Sequence, residues 1–144
     1  MKAKVTVFNK KNICSGIVGG LIAGVVFGFI LIRLEILSTA GRLMGMTDPL
    51  SGFIVHLVFS AILGLIFALV FAKGCTNFFS SSLWGIFYGI LWWFFGPLTL
   101  CPWAAGRPVS WSSGAMSHAF PMLLGHLVFG LVLGVTYFWM RNRK

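Results

Sequence analysis

The chain has 144 residues, 58% of them hydrophobic and 9% charged, where a soluble globular domain carries roughly 25% charged residues. That balance excludes an ordinary soluble domain and places the chain in the membrane class. Eleven Lys and Arg against two acidic residues give a net charge of +9, but the basic residues gather toward the chain ends without a stripe of interleaved aromatics. The charge is therefore read as topology and contact with anionic lipid, and nucleic acid is not expected as a partner.

The first predicted element follows a polar opening that carries Lys2, Lys4, Lys10 and Lys11. From Ile13 to Ile32 there is no charge, and twenty residues at about 1.5 Å each cross a hydrocarbon core of roughly 30 Å. The run is too long for the apolar core of a signal peptide, and Arg33 and Glu35 stand before the small residues Ser38 and Ala40, so it is assigned as a span over about 13–34. Thr47-Asp48-Pro49 then offers a capping residue with proline in the first turn and opens a second span over about 50–72. Lys73-Gly74-Cys75-Thr76-Asn77 is a short turn into a third, aromatic-rich span over about 78–100, which Gly96-Pro97 should kink or end. A loop is expected over 101–113, and a fourth span over about 118–140, bent at Pro121 and closed by Arg141 and Lys144.

Four spans put both termini on one side of the membrane. That side holds Lys2, Lys4, Lys10, Lys11, Lys73, Arg141, Arg143 and Lys144, and the other holds Arg33, Arg42 and Arg107. The bias makes the N and C termini cytoplasmic. Cys101 then lies across the membrane from Cys14 and Cys75, so no internal disulfide is expected of it.

His56-Leu-Val-Phe-Ser-Ala-Ile-Leu-Gly64 and His126-Leu-Val-Phe-Gly-Leu-Val-Leu-Gly134 agree at six of nine positions, at an offset of 70. Gly16, Gly20 and Gly24 match Ser81, Gly85 and Gly89 at an offset of 65, as do Ala40-Gly41-Arg42 and Ala105-Gly106-Arg107. The expected fold is thus all-α, a single integral-membrane four-helix bundle over 1–144, built from two parallel two-span hairpin repeats over about 13–73 and 78–140. Read at four-residue steps, Gly20, Gly24 and Gly28, then Ser60 and Gly64, then Gly85 and Gly89, then Gly130 and Gly134 give every span a small-residue face. In lipid such faces let helix backbones approach closely.

Transmembrane histidines mark candidate sites. His56 lies seventeen residues from Lys73 and His126 fifteen from Arg141, so both fall in the outer half of the bilayer at similar depth and can face one another. As a polar pair they can lock the bundle through backbone carbonyls, line a functional pocket, or ligate a haem as two axial imidazoles. A second, outer-face cluster joins Arg42, Arg107, Glu35 and His118. The arginines suit lipid headgroups or an anionic solute, and Glu35, Thr39 and Arg42 share one helix face. Met44, Met46, Cys101, Met116, His118 and Met122 offer soft donors of the kind copper(I) takes, but with no closed-site spacing, and no metal or cofactor is expected. With Glu35 and Asp48 the only carboxylates and no Cys-x-x-Cys, phosphate-cradling loop or His-Glu-x-x-His, the chain is not expected to be an enzyme.

The duplicated hairpin with Gly-His-Leu-Val-Phe-Gly, Leu-Trp-Gly-Ile-Phe-Tyr-Gly, Trp-Trp and Gly-Pro-Leu, spread from Gly16 to Tyr137, resembles a group of small four-span bacterial membrane proteins of unknown function. The resemblance implies a multi-pass protein of the bacterial inner membrane and supplies no catalytic residues. The expected role is that of a non-enzymatic accessory, structural or stress-related component, in contact with the lipid bilayer and with a second copy or a membrane-complex partner. The alternatives are a small channel or transporter with a polar path between the repeats, and a haem-binding four-helix protein.

Overall fold

The computed structural model describes residues 9–33, 45 and 48–143. Among them the chain is helical, with four helices long and apolar enough to cross a membrane: α1 (Lys10–Arg33), α2 (Pro49–Phe71), α3 (Phe78–Ala104) and α4 (Ser113–Asn142). Glu35, Thr39, Arg42, Met44 and Met46 lie outside the described residues.

Local chemistry sets the helix ends. Asp48 caps α2 by accepting from the Ser51 backbone N–H at 2.8 Å, with Pro49 in the first turn, where its missing N–H costs nothing. Hydrogen bonds from the Ser51 side chain and backbone hold the Asp48 carboxyl below its ordinary range. The charged cap therefore supports α2 above the ordinary carboxylate range and is lost as pH falls through the lowered value. Asn77 and Ser80 form a reciprocal capping box at the start of α3, and Ser112 caps α4 by accepting from the Ala115 N–H at 3.3 Å.

Two of the expected boundaries move. Gly96-Pro97 does not end α3: the helix widens into one π turn over Gly96–Leu100, in which the Cys101 N–H reaches the Gly96 carbonyl, and then resumes over Cys101–Ala104. Proline removes one N–H and crowds the preceding turn, and an extra residue in the turn relieves that conflict without breaking the helix. The Thr99 hydroxyl donates to the Phe94 carbonyl at 3.1 Å and satisfies an acceptor in the widened segment. At its start α4 reaches back to Ser113 and runs through Pro121, so the predicted loop contracts to residues 105–112.

The four helices alternate in direction, and glycine sets how closely they pack. A Cβ built on Gly20 would collide with the Ser60 carbonyl oxygen and the Gly64 Cα, and one built on Gly64 with the Gly16 carbonyl and the Gly20 Cα. In the other pair, Gly85 meets the Gly130 carbonyl and the Gly134 Cα, and Gly134 meets the Ser81 carbonyl and the Gly85 Cα. These contacts correspond one for one under the sequence offsets of 65 and 70. Backbone thus lies on backbone along both α1/α2 and α3/α4, where dispersion and Cα–H contacts replace the hydrophobic drive that lipid removes. The pairs join mainly through α1 and α4, with Gly19 against Leu133 and Tyr137. The α2/α3 seam is sparse and is closed by side chains, including Phe67, Phe71, Trp84 and Tyr88.

Phe67 and Tyr137, also related by 70, are both fully buried and meet edge to face at 5.5 Å. With Leu133, Ala68 and Ala72 they fill the end of the bundle that carries the chain termini. Arg141 secures the same end by donating to the Ala72 and Cys75 carbonyls at 2.7 and 3.1 Å, which satisfies the C-terminus of α2. Lys11 Nζ donates to the Arg143 carbonyl across the termini. Cys14, Cys75 and Cys101 are all free thiols, and burial pushes the Cys75 thiol up.

Gly20→Ala and Gly85→Ala are each expected to destabilise the bundle by about 1–3 kcal/mol of overpacking, outweighing the roughly 1 kcal/mol that alanine gains over glycine within a helix. Gly114→Ala, whose added methyl meets only open space and the Ser112 hydroxyl, should range from neutral to stabilising by about 1 kcal/mol. Reversible unfolding in mixed micelles measures all three.

Candidate functional site

The two histidines stand beneath the end opposite the termini, and Phe27 of α1 lies against both. Its ring centroid is 5.4 Å from that of His56 and 4.8 Å from that of His126, edge to face in each case. Gly125 makes room for the ring, since a Cβ there would strike the Phe27 edge. The pair is therefore brought together around a third side chain.

Identical spelling does not give identical bonding. His56 Nε2 donates across the helix pair to the Gly24 carbonyl of α1 at 2.9 Å, whereas His126 Nδ1 donates to the Met122 carbonyl of its own helix at 2.8 Å. The difference follows from the neighbours: Phe27-Gly28 in α1 corresponds, at an offset of 65, to Trp92-Trp93 in α3. Trp93 fills its side of the bundle and donates its indole N–H to the Ala119 carbonyl at 2.8 Å, while Gly28 leaves space that the Phe53 ring takes up. Ser60 sits one turn below His56 and returns its hydroxyl to the His56 carbonyl at 2.7 Å.

Above Phe27 the sparse α2/α3 seam opens into a cavity of about 880 Å³, within the range of roughly 300–1,000 Å³ typical of small-molecule sites. Both histidines line it together with Phe27 and Phe129, α2 lines it from His56 to Ile66, the π turn of α3 forms one wall, and Arg107 and His118 line it as well. The π turn thus shapes the wall in addition to accommodating Pro97. Trp103 and Trp111 are 71% and 56% exposed near this end, the placement expected of residues at a membrane–water boundary.

The structure gathers His56, His126, Arg107 and His118 at one cavity, together with Cys101 and Met122. Among the described residues no three His, Cys, Asp or Glu side chains are grouped as a metal site. Gly20, Gly24, Gly28, Ser60, Gly64, Gly85, Gly89, Gly130 and Gly134 all lie at close approaches within or between the helix pairs. The packing of Phe27 into a notch at Gly125 and the π turn carry no signal of their own in the sequence. An apolar phenylalanine in an apolar span gives no local signal, and Gly125 stands outside the four-residue glycine register of its helix.

Because the His56 bond joins two helices and the His126 bond stays within one, His56→Leu should cost about 1 kcal/mol of tertiary stability and His126→Leu less. Unfolding of both variants in the same micelle checks the order. Comparison of the chain with protein-family models, with curated proteins and with solved structures finds no match.

Proposed function

We propose that this protein is a non-enzymatic accessory or structural component of a bacterial inner membrane, built from two parallel hairpin repeats with both termini in the cytoplasm. The observation that carries this reading is the closed lower half of the bundle. Beneath the histidines, Phe67, Leu133 and Tyr137 are fully buried and the paired glycine backbones are in contact, so the helix interfaces there are filled by apolar side chains and backbone. The matching glycine contacts and the meeting of Phe67 with Tyr137 support the duplication, because a residue touches its own counterpart where a two-fold axis passes. Lys10, Lys11, Lys73, Arg141 and Arg143 at the termini end, against Arg33 and Arg107 at the other, support the cytoplasmic assignment. The one carboxylate among the described residues, Asp48, is engaged as a helix cap.

A channel or transporter is the second reading, and the cavity between the helices favours it. A haem held between the imidazoles is favoured less, since Phe27 occupies the space against both rings.

Reconstituted into liposomes, the protein should leave proton and small-solute leak at the level of empty vesicles, and mild solubilisation should retain a second copy or a partner chain. Protein-dependent flux abolished by His56→Leu would replace this reading with the transporter, and a solitary chain under every mild condition would remove the accessory role.

A further inference from the structure

The two histidines offer the cavity hydrogen-bond acceptors. In a neutral imidazole, the nitrogen opposite a donating N–H carries a lone pair. His56 donates through Nε2 and His126 through Nδ1, each to a backbone carbonyl, and such bonds fix which nitrogen bears the proton. His56 Nδ1 and His126 Nε2 are therefore the two acceptors, and neither has a hydrogen-bond partner among the described residues. The nearby hydroxyls are already committed, Ser60 to the His56 carbonyl and Thr99 to the Phe94 carbonyl. His126 Nε2 faces the Gly96 side of the π turn, 3.7 Å from where a Cβ would stand.

Around these lone pairs the walls are aromatic and aliphatic: Phe27, Phe129, Trp92 and Leu63 all line the cavity. Phe59 and Ile62 line it as well while remaining 40% and 46% exposed, so the opening runs sideways along the α2/α3 seam toward lipid. An unmet acceptor in apolar surroundings is costly, and water there would find few of the two to four polar partners it needs. A ligand suited to the site carries hydroxyl donors on a flat, apolar head and enters from the bilayer.

We propose that this cavity binds a lipophilic hydroquinone, whose ring hydroxyls donate to His56 Nδ1 and His126 Nε2 and whose hydrocarbon tail leaves through the α2/α3 seam. No covalent bond forms or breaks in this binding. The site selects by oxidation state, because the corresponding quinone presents carbonyl oxygens, acceptors alone, to two imidazole lone pairs that cannot donate to them. A site built to pair with a hydroxyl discriminates strongly against an analogue that lacks it. The inference stands apart from the accessory role: a structural component can hold such a molecule, and the role does not require it.

The test uses the full chain in lipid nanodiscs and a decyl-substituted benzohydroquinone, kept reduced in oxygen-free buffer, against its oxidised quinone. Saturable binding of one hydroquinone per chain is expected by native mass spectrometry, at least about tenfold tighter than the quinone. His126→Leu should bring the two forms to within about twofold. Ile62→Trp, at the lipid-facing rim and outside the histidine bonds, should remove saturable binding of both while elution and helicity stay unchanged. Equal or tighter binding of the quinone by the unaltered protein, absence of saturable binding of either form, or binding unaffected by Ile62→Trp would each overturn the proposal, whether or not the histidine variant folds.

Discussion

Backbone contact between glycine faces is the constraint on which this bundle depends. Four apolar helices gain little by burying leucine against one another when lipid tails are equally apolar, so the helices must come close enough for main-chain atoms to touch. Gly20 against Ser60 and Gly64, and Gly85 against Gly130 and Gly134, meet that need in both helix pairs. Everything larger is displaced to other seams. Aromatic side chains collect between α2 and α3, where no such glycine face draws the helices together, and the cavity opens at the same seam.

That division of labour explains the histidines. His56 and His126 sit directly above the closest approaches, where carbonyls of the helix backbones are within reach of an imidazole N–H. Each ring donates its N–H to a carbonyl and keeps its other nitrogen as an acceptor. Phe27, seated in the notch at Gly125, keeps the two rings apart. The π turn at Pro97 sets the opposite wall. A structural role for the N–H groups and a binding role for the lone pairs are thus compatible, since they use different atoms of the same rings.

Much of the architecture was legible in the sequence because its signals are periodic. Four uncharged runs of membrane length, glycines at four-residue steps and two copies of His-Leu-Val-Phe located the spans and their contact faces, and Asp48-Pro49 marked where α2 begins. The course of α3 past Gly96-Pro97 was half legible: the pair reads as a kink or an end, and only the neighbouring turns decide that a π turn absorbs it. The histidines' unequal bonding was equally hidden, because it arises from Gly28 facing Phe53 on one side and Trp93 reaching Ala119 on the other. Of the outer-face cluster, Arg107 and His118 come together at the cavity, while Glu35 and Arg42 fall outside the described residues.

The central claim is that paired glycine backbones hold both halves of the bundle, and solid-state NMR of the protein in bilayers with only glycine Cα carbons labelled tests it most directly. Cross-peaks are predicted between Gly20 and Gly64 and between Gly85 and Gly134, each pair in van der Waals contact across a helix interface. Absence of both, with sequential Gly19–Gly20 transfer present as the internal control, would contradict the account.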